Sequence, residues 1–389
     1  MVRRNISAAL LLAALVATPA IAADPIKIGV DTPITGTYAP IGQQVRWGLD
    51  LATKEVNAAG GIMGRQIHLI YEDEEANPSV AVQKADKLFE VDKVDFLTGT
   101  VNSGSTLAVG QTAERAGKLI ATTVSFADSI TGDKCSPNVF RVNARAEQQT
   151  AALAAWLAKD KPSPKVYFLG PDYEMGRSTV AAFQKGVKQH GGTDLGEVFA
   201  PLDSKDYTQY FGQIRAARPQ VLYTSTAGND TVRLLTQMQD FGLLNNLLVI
   251  GAAGTVTSQN IGAMGTAADG FTTGVGYSPQ IDTPENKKFV DAFRDAYKTD
   301  PDLYGADSYG LIYFYKAAVE KAGSTDTDKV RTAMRGLQWM TPQGMKTMRA
   351  GDHQAVQNMY VVQVNKGKFN IVGSVPGDQA IGPVTCKRW

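Results

Sequence analysis

The sequence predicts an α/β fold, built from parallel sheets and divided between two domains. Three observations carry that expectation. Short β-rich apolar runs alternate with amphipathic segments along most of the 389 residues, the pattern of strands joined by crossover helices. The chain is longer than one hydrophobic core ordinarily organises. The strand–helix series also restarts after Pro162-Ser163-Pro164, where a second sheet is expected to begin.

The opening residues carry Arg3 and Arg4, an apolar stretch over 6–17, then Pro19 and Ala20-Ile21-Ala22. This is the composition of an export signal cleaved after Ala22, with an apolar stretch too short to span a bilayer. Strands are expected at 26–30, 69–72, 96–98, 119–123, 166–169, 221–224 and 248–250. Helices are expected between them at 80–90, 106–116, 149–159, 178–190 and 231–241. From Gln43 onward, Val45, Leu49, Ala52 and Val56 recur at helical spacing. Gly60 and Gly61 supply positive-φ residues to close that helix, and Gly64 permits a tight turn before a strand resumes at Ile67. The segment 138–150, NVFRVNARAEQQT, reads as a strand entering a helix and can carry the chain between domains.

Composition removes several function classes. Acidic and basic residues nearly balance, at 38 and 39, and no basic stripe interleaves with aromatics, so nucleic acid is not expected as a partner. His68, His190 and His353 lie far apart without metal-ligand spacing, so no metal is expected. No G-x-S-x-G elbow or phosphate-binding G-x-x-x-x-G-K-[ST] loop occurs. Gly117-Lys118 comes nearest and reads as a helix end. Neither catalysis nor a cofactor is expected. Cys135 and Cys386 lack redox spacing; as the two thiols of an exported chain they are expected to pair, tying the C-terminal tail to the first domain.

Ligands of open α/β sheets bind beyond the carboxyl ends of the strands. The loop GTVNSGSTLAV runs from Gly99 into a helix expected to begin near Ser105. The hydroxyls of Ser103, Ser105 and Thr106, the unpaired first-turn N–H groups and the helix dipole make a site for a carboxylate. Plain helix capping would use one of these hydroxyls.

The run from IKIGVDTPITGTYAPIGQQ through NAAGGIMGRQIHLIYEDE resembles the first strand–helix–strand unit of periplasmic binding proteins of the leucine/isoleucine/valine type. These are the solute-binding components of ABC importers, with the type I fold. The resemblance implies two Rossmann-like lobes joined by three crossings: 23–142 with 276–348, and 143–275 with 349–380, the tail 381–389 returning to the first. It implies a periplasmic monomer that closes on a small carboxylate ligand and delivers it to a permease with ATPase subunits. A module sensing ligand for a membrane receptor would share the same fold and pocket.

Residue by residue, the resemblance aligns Ser103 with the serine that holds the ligand carboxylate, and Ser125 with the group that completes the clamp. Ile41 lies in the matching first-lobe run. Phe126 is implied as a pocket wall, or as a buried support for its loop. In the second lobe Met175 stands where an aromatic covers the ligand, with Tyr173 two residues earlier. Ala227 and Gly228 fall where a tyrosine often stands. Tyr277, near the second crossing, offers an aromatic surface or a packed core side chain. The most consequential departure is Ala253, which takes the place of a glutamate that pairs with the ligand ammonium. Either Asp128, Asp172 or Asp230 supplies that charge, or the ligand lacks an amine. An amine-free organic acid, aromatic in one form, is the favoured expectation over an amino acid.

Overall fold

The computed structural model describes residues 24–388; the expected export signal lies outside the described residues. Five strands come first: β1 (Ile26–Asp31), β2 (Ile67–Glu72), β3 (Phe96–Gly99), β4 (Leu119–Thr122) and β5 (Val139–Arg141). They form one all-parallel sheet in the order β2-β1-β3-β4-β5. β3 and β4 are buried at every position, as a parallel sheet covered by helices on both faces requires.

The chain then enters a second sheet with β6 (Lys165–Pro171), β7 (Thr193–Ala200), β8 (Val221–Thr224), β9 (Leu248–Gly251) and β10 (Thr272–Val275). It returns to the first lobe with the helices Pro284–Tyr297 and Leu303–Ala322, the latter packed on Ala39–Ala58. There β11 (Gln338–Thr341), β12 (Gly344–Met348) and β13 (Ala355–Val356) make a small antiparallel sheet. β14 (Met359–Asn365) and β15 (Lys368–Val375) then complete the second sheet, whose order is β15-β14-β10-β9-β8-β6-β7. The chain thus crosses three times between two lobes.

The third crossing lies later than the expected 349. Residues up to Val356 stay with the first lobe, because β13 pairs with β12 and Gln354 bridges to Arg141 beside β5. The expected helices are present but begin two to four residues earlier, at Pro78, Ser103, Ala146, Glu174 and Gly228. Their first turns are polar or small, so apolar periodicity starts late. Among the described residues no helix is long and apolar enough to cross a membrane.

A buried ion pair fastens the small sheet. Lys346 Nζ, on β12, donates to Asp307 Oδ1 at 2.5 Å and to the carbonyl of Val142 at 3.0 Å. Gln343 Nε2 donates to the same carboxylate oxygen at 2.8 Å. Helix, small sheet and first crossing are thereby joined at one point.

Cys135 and Cys386 are disulfide-bonded across 251 residues, with Cα atoms 5.7 Å apart. The bond holds the tail against the first lobe after the chain has left the second. Replacing both cysteines by serine should lower unfolding free energy by ~2–4 kcal/mol, because a long loop is freed in the unfolded chain. Urea unfolding of the oxidised protein and the double variant measures this; equal midpoints would contradict it.

Candidate functional site

β3 ends at Gly99, whose φ of 118° turns the chain sharply; a Cβ there would lie 2.2 Å from the carbonyl oxygen of Asp31. Asn102 caps the following helix, Ser103–Arg115, its Oδ1 accepting from Gly104 N at 2.8 Å. The cap is therefore an asparagine, not one of the serines. Ser103, Ser105 and Thr106 all lie buried in the first helical turn. Ser103 Oγ accepts from Ala127 N at 3.3 Å, joining the two loops that the sequence singles out.

Two expected donors are turned to another use. Ser125 Oγ donates toward the carbonyl of Thr100 at 2.9 Å and lies 2.5 Å from Thr106 Oγ1. Thr106 Oγ1 also lies 2.8 Å from Thr100 Oγ1. These hydroxyls brace one loop against the other, so the Ser125 hydroxyl is not a free donor for a ligand. Beneath them Arg141, fully buried, donates Nη1 to the carbonyls of Ala127 at 2.6 Å and Ser125 at 3.3 Å. Its Nε donates to Gln354 Oε1 at 2.6 Å and its Nη2 to Thr131 Oγ1. Burial depresses its pKa to about 9, which leaves it charged at neutral pH.

The opposing walls are apolar. Met175, Ala227 and Ala253 from the second lobe, with Tyr277 from the second crossing, join the buried cluster that contains Ile41 and Phe126. Tyr173 packs against it. Two members were missed in the sequence: Tyr38, just before the helix Ala39–Ala58, and Tyr304, whose ring stacks on Phe126 with centroids 6.1 Å apart. Tyr38 stands in the quoted TGTYAP run and could have been chosen; Tyr304 arrives from a segment that carried no loop-and-helix signal.

The lobes meet across this cluster. Thr37 Oγ1 donates to Asp203 Oδ1 at 2.8 Å, Asp128 N to Ser178 Oγ at 2.9 Å, and Ser129 Oγ to Glu174 Oε1 at 2.7 Å. Gly228, with φ 56°, comes so close that a Cβ would lie 2.6 Å from the carbonyl oxygen of Thr37. A separate inter-lobe cavity of about 410 Å³ lies beside the second crossing, between Val256, Tyr277 and Leu303; neither Ser103 nor Ser125 lines it.

The acidic groups considered as substitutes for a glutamate at 253 are already engaged. Asp230 Oδ1 pairs with Arg233 at 2.5 Å, and its Oδ2 accepts from Asp203 N at 3.0 Å. Asp172 Oδ1 accepts from Arg177 Nε and Nη2 at 2.9 and 2.6 Å. Asp128 Oδ1 accepts from Glu147 N at 3.0 Å and lies 3.8 Å from Arg145 Nε. Among the described residues no group of three or more His, Cys, Asp or Glu could hold a metal ion.

A family model described as periplasmic binding protein matches residues 25–368. The chain belongs to the periplasmic binding protein family. Members are solute-binding proteins. This binding protein is 30% identical over 330 residues to the Leu/Ile/Val-binding protein BraC3 of Rhizobium johnstonii, covering 84% of this chain and 88% of that one. Among solved structures it resembles an ABC-transporter solute-binding protein of R. palustris in complex with benzoate. The TM-score is 0.85 at 26% identity, over 93% of this chain and 99% of that one. Another, from Rhodopseudomonas palustris BisB5 in complex with 3,4-dihydroxy benzoic acid, gives a TM-score of 0.84 at 25% identity, over 91% and 98%. The type I architecture expected from the sequence is the one found.

Arg141→Met should destabilise this binding protein by roughly 3–5 kcal/mol, since buried carbonyls and Gln354 lose their donor. Urea unfolding measures the loss, and hydrogen exchange should locate it in the 123–131 loop. A loss under ~1 kcal/mol would show that the loop holds its shape without the guanidinium.

Proposed function

We propose that this periplasmic binding protein captures an amine-free aromatic carboxylate and delivers it to an ABC import permease. The observation that carries the reading is the uncompensated wall at Ala253. Of the acids the sequence offers as a counter-charge for an ammonium there, Asp128, Asp172 and Asp230 are each engaged by groups of this chain. Leaving one charge of a buried pair unmatched costs ~2–5 kcal/mol. Leucine, isoleucine and valine all carry that ammonium, whereas benzoate and 3,4-dihydroxybenzoate, bound by two structural relatives, do not. Phe126, Tyr304 and Tyr277 supply the flat apolar surfaces an aromatic ring stacks against.

The ligand carboxylate docks at the first turn of the helix Ser103–Arg115, where Ser103 and the helix dipole favour negative charge. The second lobe then closes over the ring through Met175, Ala227 and Ala253. Ligand shifts the lobes toward closure because contacts from both are made together in the closed state. After cleavage of its export signal at Ala22 the protein acts in the periplasm as a monomer, and the permease with its ATPase subunits recognises the closed form.

Calorimetry with benzoate, 4-hydroxybenzoate, leucine and valine tests this. Aromatic acids should bind and the amino acids should bind weakly or not at all; the reverse order would overturn the proposal. Ser103→Ala should weaken binding by ~1–3 kcal/mol; the variant should still fold, with a somewhat lower melting point because Ala127 N loses its acceptor. Ala253→Glu should weaken aromatic acids and strengthen amino acids, since it restores an anion opposite an ammonium. An unchanged preference would remove position 253 from the pocket.

A further inference from the structure

The loop that presents Ser103 is held from below by a carboxyl of the chain itself. Glu74, just after β2, is fully buried, and its Oε1 accepts from Val101 N at 2.5 Å. Asn102 N and Ser105 Oγ lie near enough to favour its charged form, yet neither completes a hydrogen bond to Oε2. Asp31, at the end of β1, is also fully buried, and neither of its carboxyl oxygens has a protein partner. Its backbone carbonyl accepts from Thr100 N at 2.5 Å, so both acids sit under the same loop between β3 and the helix.

We propose that Glu74 is a positioning residue for ligand binding: its carboxyl shapes the 100–102 loop and, unless it takes up a proton, opposes the carboxylate arriving at Ser103. This rests on reading Ser103 as the carboxylate site.

The charges around it do not neutralise it. Asp31 and Asp73 act on Glu74 from the strand ends, while Glu72 and, from the helix Pro78–Glu90, Lys84 act on its neighbour Asp31. Lys84 is bonded to Glu72 at 2.9 Å, and Asp73 accepts from Ile34 N and Thr35 Oγ1. The helix Ser103–Arg115 adds no acid in its first turn. Burial therefore dominates: it pushes Asp31 up to about 9 and Glu74 to about 7, the Val101 bond pulling Glu74 part of the way back. Near neutral pH, Asp31 keeps its proton and Glu74 is divided between its two forms. An anion bound nearby raises the proton affinity of Glu74, and by reciprocity the proton raises the affinity for the anion. Affinity must then fall as pH rises through about 7.

Calorimetric titration of the full mature protein with benzoate and, in parallel, L-leucine, from pH 6 to 8.5 in buffers of different ionisation heat, tests the proposal. A simple carboxylic acid stays ionised over that range, so the ligand carboxylate contributes no slope. Affinity should be about tenfold weaker at the upper end, with a fraction of a proton taken up per ligand, corresponding to about one unit of pKa coupling. Glu74→Gln keeps an acceptor for Val101 and should abolish both the slope and the uptake. Binding of either ligand with a flat profile and no uptake, or uptake retained in a folded Glu74→Gln variant, would overturn the role of Glu74. If that variant does not fold, proton uptake by the wild-type protein decides. Binding of leucine alone would sink the aromatic reading while leaving this test intact, and binding of neither would overturn both.

Discussion

The floor of the cleft depends on a single buried guanidinium. Arg141 closes β5 and spreads its donors over the carbonyls of Ser125 and Ala127, Thr131 and Gln354. A planar fork with fixed donor directions can serve that many acceptors at once; a lysine could not. The same side chain therefore shapes the loop after β4 and pins the strand region that precedes the third crossing. Four residues on, Arg145 donates Nη2 to the carbonyls of Ile381 and Pro383 as the tail returns. Gln354 in turn donates to the carbonyl of Asn143 at 2.8 Å and to Gln148 Oε1 at 3.0 Å. First crossing, third crossing and tail are one hydrogen-bonded unit.

Charge is distributed around the cleft in a consistent way. Cations that could attract a ligand anion directly are spent on carbonyls or on local carboxylates, as Arg141, Arg177 and Arg233 illustrate. At the carboxylate site proposed above, negative charge would instead be met by the buried Ser103 hydroxyl and a helix terminus, which are fixed in place and need little side-chain ordering. Such a site accepts a carboxylate at low entropic cost. It gives little help to a second charge elsewhere on the same ligand, because the remaining walls are methyl, thioether and aromatic groups.

The sequence revealed most where burial alone determines structure. β3, β4, β6, β8 and β9 are largely buried, so short apolar runs mark them and stand out. β7 and β15 lie at sheet edges with mostly half-buried positions, and β11 alternates exposed and buried residues; none leaves an apolar run. The serine loops were legible because strand-end position and residue type suffice to find them. What their hydroxyls do was not: the engagement of Ser125 depends on Thr100, which a separate strand brings alongside. Tyr304 was illegible for the same reason, since its helix reaches the cleft only through packing on Ala39–Ala58.

On the reading proposed above, position 253 would set the preference of the binding site without touching the fold. The N–H of Ala253 donates to Gln149 Oε1 at 3.2 Å, in the helix that leaves the first crossing. At the neighbouring Gly254 a Cβ would collide with the hydroxyl of Tyr304. The backbone of this loop is thus fixed by contacts independent of the side chain at 253, and a glutamate or an alanine can stand there on the same scaffold. With alanine, this position offers a methyl backed by an N–H already spent on Gln149. A wall of that kind gains free energy from apolar surface and loses it from any buried ammonium. Selectivity between amine-bearing and amine-free acids can therefore reside in one side chain, while the hinge, the carboxylate loop and the closing contacts remain common to both.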